Sequence, residues 1–158
     1  MAASHELPIA LRAAYLALHR RTEARFAKHG VTADQFVLLA TLARGQALTQ
    51  RELARRMPSD PSTVRAMLVL LERSGLVQRD SHPTDARART VALTAAGKRK
   101  FQQLWTAGQS IRDQMAAALE PGEDELFVSL LERVAQSLLA DGPLVNSTPT
   151  APASKATL

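Results

Sequence analysis

Two closely spaced helix-start signals constrain the fold of this chain most strongly. In LTQRELARRMPSDPSTV, Thr49 stands three residues before Glu52, which is the spacing of a capping box. Asp60 precedes Pro61, so a capping carboxylate meets a proline that needs no hydrogen-bonding N–H at the first helical position. Pro58 ends the first helix. The pattern predicts a short helix, a tight turn and a second helix that runs to Ser74.

Two short β-compatible runs follow this pair of helices. LVQRD and RTVALT flank a polar loop that contains Pro83, and Gly75 separates them from the preceding helix. They predict a hairpin with a basic loop. A short helix, a tight turn, a second helix and a hairpin together make a winged helix-turn-helix.

Helical patterns lie on both sides of this unit. Apolar spacing predicts a first helix that stops at Gly30, and Thr32 with Gln35 repeats the capping-box spacing. After Thr94, the apolar residues again follow a helical step, apart from an interruption at LEPGEDE. The predicted fold class is mainly α with a small β wing: a winged helix-turn-helix domain plus N- and C-terminal dimerisation helices.

The domain prediction is a single domain over residues 1–140 with a tail. Dimerisation helices are placed at about 5–30 and 95–140, and the winged helix-turn-helix at about 32–94. Residues 141–158 are rich in Pro, Ser, Thr and Ala without periodicity, which predicts a disordered tail.

Composition narrows the function classes. The net charge is +5, carried mostly by arginine, and there is no cysteine, which excludes disulfide scaffolds and thiol chemistry. No apolar run reaches the roughly 18 residues of a membrane span and no export signal is evident, so we expect a cytoplasmic protein. The four histidines are scattered without ligand spacing, and no nucleophile with a base, carboxylate pair or glycine-rich phosphate loop occurs. We therefore expect neither an enzyme nor a cofactor.

The predicted winged unit indicates a DNA-binding face. The second helix of such a unit enters the major groove by its N-terminus, and the hairpin loop reaches the minor groove or the backbone. Val64, Met67, Leu68 and Leu71 are expected to face the core. The remaining positions predict DNA contacts from Thr49, Gln50, Ser59, Asp60, Ser62, Thr63, Arg65, Ala66, Val69 and Arg73 on the helices, and from Asp85, Arg87 and Arg89 on the hairpin.

Two of these residues allow alternative roles. An outward Val69 either touches a thymine methyl group or packs against the wing. Asp85, two residues before Arg87, either holds that guanidinium in position or braces the loop. A solvated turn whose charges only keep the loop soluble is the alternative to a DNA-binding wing.

The segment from LTQREL to LTAAG resembles the DNA-binding region of MarR-type transcriptional regulators. It shares a capped helix that contains LA, and STV at the start of the recognition helix. It also shares LE followed by a basic residue, any residue and GLV; a wing with D-x-R; and V.LT..G. This wing has Asp85-Ala86-Arg87 where the family often has Asp-Arg-Arg, and Val69-Leu70 replaces a more polar pair. The resemblance implies an obligate homodimer on a pseudo-palindromic operator, usually a repressor released by a small ligand.

The terminal helices give an argument for dimerisation that does not depend on the resemblance. They are more apolar than two helices beside a small DNA-binding domain could bury, so a partner chain is expected to cover them. The alternative is an ordinary intramolecular helical core. The residues are Leu126, Phe127, Leu130, Leu131, Val134 and Leu138, with the seam from Phe101 to Ala118.

One stripe of the first helix suggests an effector site. Arg12, Tyr15 and His19 fall at i, i+3 and i+7 and offer a cation, a phenol and an imidazole to a small aromatic acid. In MarR-type proteins the effector pocket lies between the dimerisation helices and the DNA-binding lobe, which implies a salicylate- or hydroxynicotinate-like ligand. The alternatives are core packing of this stripe and, for the whole protein, an architectural DNA-binding protein without an effector.

Overall fold

The computed structural model describes residues 2–45 and 47–140, with side chains from residue 5 onward. The predicted tail, residues 141–158, lies outside the described residues. The chain divides into two compact units, Met1–Met115 and Ala116–Leu158. The elements are α1 (Ala2–Ala27), α2 (Ala33–Ala43), β1 (Leu48–Thr49), α3 (Gln50–Arg56), α4 (Pro61–Arg73), β2 (Val77–Ser81), β3 (Arg89–Leu93), α5 (Ala95–Ala107), α6 (Gln109–Ala117) and α7 (Glu123–Ala140).

The predicted helix starts are confirmed. The Thr49 hydroxyl accepts the N–H of Glu52 at 3.1 Å, and the Glu52 carboxylate accepts the N–H of Thr49 at 2.8 Å. Thr32 and Gln35 form the same reciprocal pair before α2. Asp60 caps α4, with Pro61 as its first residue. These caps satisfy backbone donors that a helix start leaves unpaired, which explains why local spacing located them correctly.

A three-stranded antiparallel sheet carries the wing. The strand order is β1-β3-β2, with Ser81 opposite Arg89 at the open end and Val77 opposite Leu93 at the base. The hairpin was predicted, but β1 was not. In β1, Thr49 pairs with Thr90 and also caps α3, so the sheet ties the wing to the first helix of the helix-turn-helix.

The core of the first unit joins the helix-turn-helix to its flanking helices. The four residues of α4 predicted to face the core are all buried. A buried helix face of this kind fixes the rotation of α4 and therefore leaves its opposite face outward. The largest fully buried side chains are Phe26, Leu38, Leu39, Leu53, Leu68, Leu71, Leu104, Val64 and Val91.

The base of the wing is fixed to α5 by close backbone packing. Thr94 donates its hydroxyl to the carbonyl of Gly75 at 2.5 Å and accepts the N–H of Gly97 at 3.0 Å. A Cβ atom at Gly97 would lie 1.9 Å from the carbonyl oxygen of Leu76, so only glycine fits there. This junction sets the position from which the hairpin projects.

The predicted seam from Phe101 to Ala118 is divided in the structure. Gly108 ends α5, where its N–H donates to the carbonyl of Leu104 at 2.9 Å, and α6 starts at the next residue. A Cβ atom at Gly108 would lie 3.5 Å from Phe26. The break therefore occurs where the chain passes close to α1.

The second unit contains α7. Its first turn holds Glu123, Asp124 and Glu125, as expected where the helix dipole favours acidic residues. No residue of α7, all of which the structure describes, is buried. Within the described ranges, no helix is both long and apolar enough to cross a membrane.

Candidate nucleic-acid interface

A groove of about 920 Å³ separates the start of the helix-turn-helix from the wing. It brings together six residues predicted to contact DNA: Thr49, Gln50, Arg65, Asp85, Arg87 and Arg89. Five arginines line it, and Asp85 is the one carboxylate among its lining residues. The groove is therefore strongly cationic and suits an extended polyanion.

Two of these arginines were missed in the sequence. Arg51 and Arg55 lie four residues apart on α3 and line the same groove as Arg87 and Arg89. The i, i+4 spacing after the Thr49 cap places them on one helix face, and this was the signal that could have identified them. The first helix of the pair thus adds positive charge as well as supporting α4.

The loop of the wing is braced by Asp85. Its carboxylate accepts the backbone N–H of Arg87 at 3.0 Å, and its carbonyl accepts the N–H of Ala88 at 3.1 Å. His82 contributes a further contact, since its Nδ1 accepts the N–H of Thr84 at 3.2 Å. Of the two roles expected for Asp85, the structure has the loop brace. The side chains of Arg87 and Arg89 are exposed.

An ion pair ties the recognition helix to the hairpin. Arg79 of β2 donates through Nε to the carboxylate of Glu72 near the end of α4. It is the one ion pair among residues 2–45 and 47–140. The pair neutralises the acidic residue of α4 and holds helix and wing in a fixed relation. Arg79 does not line the cationic groove.

The start of α4 carries an ordered set of hydroxyl groups. Asp60 accepts the hydroxyl of Ser62 at Oδ1 and the hydroxyl of Thr63 at Oδ2, both at 2.5 Å. These hydroxyl bonds, with the N–H groups of Ser62 and Thr63, lower the pKa of the Asp60 carboxyl well below its ordinary value. A carboxylate only accepts, so both hydroxyls must donate to it. What they present outward is their acceptor lone pairs.

The remaining predicted contacts lie outside the groove, along the turn and the outward face of α4. Ser59 is half-buried in the turn between α3 and α4, and Val69 is half-buried on the helix. Ala66 and Arg73 are exposed, as are Ser62 and Thr63. The structure thus places hydroxyls first, small and apolar residues next and an arginine last along this face.

A second cavity lies behind the helix-turn-helix. Its volume is about 420 Å³, and Tyr15 and His19 line it, with their rings stacked 5.6 Å apart. Arg12, the third residue of the predicted effector stripe, is exposed and is not among the lining residues. The other lining residues are Leu18, Thr22, Phe26, Ala33, Asp34, Phe36, Val37, Pro58, Trp105, Gly108, Ile111, Arg112 and Met115.

A cation that the sequence did not indicate enters this cavity from α6. The guanidinium of Arg112 lies 3.7 Å from the centre of the Trp105 ring. Its Nη2 donates to the carbonyl of Trp105 at 2.7 Å and to Gln109 at 2.6 Å. These bonds occupy both Nη2 hydrogens, which leaves Nε and Nη1 as the remaining donors of Arg112. Trp105 therefore orients this cation through its ring and its carbonyl.

No group of three or more metal-ligating side chains occurs among the residues that the structure places. Arginine side chains dominate the lining of the groove, whereas aromatic and aliphatic side chains dominate the lining of the cavity. One site suits a nucleic acid, and the other suits a small, largely apolar molecule.

Comparison with known proteins gives three matches of the same kind. The MarR family model matches residues 31–88. The transcriptional regulator HosA of Escherichia coli O111:H- is 30% identical over 104 residues, which are 66% of this chain and 77% of HosA. The HTH-type transcriptional repressor MdtR of Bacillus subtilis strain 168 is 26% identical over 136 residues, which are 86% of this chain and 88% of MdtR.

A solved structure matches this fold. A mutant MarR from Escherichia coli, crystallised with operator DNA, is 25% identical and matches with a TM-score of 0.73 over 81% of this chain and 92% of that one. The segment that the family model matches contains every lining residue of the cationic groove except Arg89.

Proposed function

Because this chain belongs to the MarR family of DNA-binding transcriptional regulators, we propose that it is a homodimeric repressor of a pseudo-palindromic operator. In this proposal α4 enters the major groove and the wing reaches the adjacent backbone or minor groove. The observation that carries it is the groove lined by five arginines, in which the one lining carboxylate is bound to the loop backbone. Five guanidinium groups converging on one groove would serve little purpose in a protein without a polyanionic partner.

Exposed apolar side chains on the terminal helices support the homodimer. Leu7, Ile9 and Leu11 of α1 are exposed, and six large apolar residues of α7 are exposed as well. Isolated apolar residues are common on a surface, but a helix that buries none of its apolar residues requires a cover. The α7 residues are Leu126, Phe127, Val128, Leu130, Leu138 and Leu139.

We further propose that a small aromatic acid binds the second cavity and releases the protein from DNA. The aromatic rings of Tyr15, His19 and Trp105 offer stacking surfaces, and Arg112 offers a positively charged hydrogen-bond donor to a carboxylate. We assign the cationic role to Arg112 because Arg12 does not line the cavity. Asp34, which also lines the cavity, disfavours ligands with a second negative charge.

Pro58 connects this cavity structurally to the DNA-binding face. It lines the cavity, and it lies in the turn between α3 and α4, two residues before the Asp60 cap. A ligand that binds more tightly to a conformation with a displaced turn would shift α4 and lower the affinity for DNA. The size of this effect is set by the difference between the ligand's affinities for the two conformations.

Selection of bound duplexes from a random pool, followed by footprinting, tests the proposed function. We expect an enriched pseudo-palindrome and a discrete protected region. Featureless protection without an enriched sequence would contradict the proposal and support the alternative, an architectural DNA-binding protein without an effector.

A further inference from the structure

The outward face of α4 changes chemical character along its length. Ser62 and Thr63 provide hydroxyls in the first turn, and Arg73 provides a guanidinium in the last. Between them lie Ala66, Val69 and Leu70, which are related as i, i+3 and i+4 and form one apolar patch. Leu70 is 53% exposed and lies outside the buried face of the helix.

This apolar patch cannot read DNA through hydrogen bonds, because its three side chains carry no donor or acceptor. It lies on the element that the family uses to enter the major groove, and it is continuous with the hydroxyls of Ser62 and Thr63. In that groove the 5-methyl group of thymine is the apolar feature that distinguishes one base from the others. Three neighbouring apolar side chains can contact one or two such methyl groups.

We propose that Ala66, Val69 and Leu70 recognise the 5-methyl groups of one or two thymines in each half-site. This inference rests on the proposed function. The neighbouring charges favour DNA over a protein as the occupant, since Arg65 and Arg73 flank the patch and would pair with phosphates on either side. A second copy of this chain docked there would have to bring those guanidinium groups out of water.

Replacing each thymine of the selected operator by deoxyuridine, one at a time, tests the proposal, because uracil lacks only the methyl group. At the contacted thymine, we expect the Kd of the unmodified protein to rise about four-fold, the factor associated with burying one methyl-sized group. The Leu70→Ala protein should bind the thymine and uracil operators with equal affinity at that position. Thymines outside the α4 footprint serve as the DNA control.

A matched variant separates contact from folding. Leu70→Met keeps an apolar side chain of similar volume and should keep the sensitivity to deoxyuridine. Leu70 is exposed, so neither variant should change the thermal unfolding midpoint or the oligomeric mass. A loss of oligomer in Leu70→Ala would show that the patch contacts a second copy and would overturn the proposal.

The outcomes also separate this inference from the proposed function. If no sequence is enriched from the pool, the proposed function fails. If a sequence is enriched, but no deoxyuridine substitution weakens binding in a way that depends on Leu70, the thymine-methyl inference alone fails.

Discussion

The carboxylate of Asp60 accepts the hydroxyl hydrogen of Thr63 at 2.5 Å, and it accepts that of Ser62 at the same distance. Both hydroxyls belong to the first turn of the recognition helix, so Asp60 determines which of their hydrogen-bonding groups face outward. With the hydrogens turned inward, Ser62 and Thr63 present acceptor lone pairs outward, and the proposed function places this face in the major groove. Cytosine N4 and adenine N6 are the matching donors in the major groove.

Replacing Asp60 by Asn should change base preference without removing the helix cap. Asn and Asp cap helices equally well, so α4 should keep its start. The Asn amide would donate to the Thr63 hydroxyl, whose hydrogen would then turn outward. We expect selection from a random pool to show a change at one base-pair position, from cytosine or adenine toward guanine or thymine.

A Thr63→Val variant provides the control for this change. It lacks the hydroxyl, so its base preference should stay the same when Asp60 is also replaced by Asn. A uniform gain in affinity for all sequences in Asp60→Asn, with an unchanged motif, would reflect only the lost negative charge and would contradict the orienting role.

Acid should destabilise the protein in part through Asp60. Its pKa is lowered in the folded state, so its carboxylate stabilises the fold above the ordinary pKa of 3.8. That contribution is lost progressively as the pH falls from 3.8 toward the lowered pKa of the folded state. Chemical denaturation at pH 6 and pH 2.5 should show a smaller loss of unfolding free energy for Asp60→Asn than for the unmodified protein. Equal losses would rule out a special role for this carboxylate.

Arg55 should contribute to DNA affinity independently of sequence. It lines the cationic groove, whereas its neighbour Arg56 is exposed but does not line it. Arg55→Ala should weaken binding to all duplexes and reduce the slope of log Kd against log salt by about one counterion. Arg56→Ala is the matched control and should leave the slope unchanged. A slope for Arg55→Ala equal to that of the unmodified protein would show that Arg55 makes no phosphate contact.

Arg112 should decide the response to aromatic acids. Calorimetry with benzoates, hydroxybenzoates and pyridine carboxylates should detect binding to the unmodified protein and to Arg12→Ala. Arg112→Gln should lose about ten-fold or more in affinity, because a charge-assisted hydrogen bond is replaced by a neutral one. All three proteins should still bind the operator in the absence of acid. If Arg112→Gln binds every acid as tightly as Arg12→Ala does, the carboxylate does not lie at Arg112.

Features decided by neighbouring residues could be predicted from the sequence. The caps at Thr32, Thr49 and Asp60, and the buried face of α4, depend on spacings of two to four residues, and all are confirmed. Strand β1 was missed because it has two residues and depends on pairing with the distant β3.

The convergence of side chains from different elements could not be predicted in this way. Tyr15 and Arg112 lie on α1 and α6 and line the same cavity, an arrangement that no short spacing encodes. The stripe that contains Tyr15 and His19 was visible, but periodicity alone does not tell which neighbour, Arg12 or a residue on another helix, completes it. The groove arginines Arg51 and Arg55 were not predicted, although their i, i+4 spacing places them on one face of α3.

The spacing between half-sites tests the central claim of a two-fold symmetric DNA complex most directly. Two recognition helices related by a two-fold axis must enter successive major grooves on one side of the duplex, about 10 base pairs apart. Inserting five base pairs between the half-sites rotates one of them to the opposite side. We expect this insertion to abolish tight binding and a ten-base-pair insertion to restore part of it. Equal affinity for the original and five-base-pair operators would contradict the account.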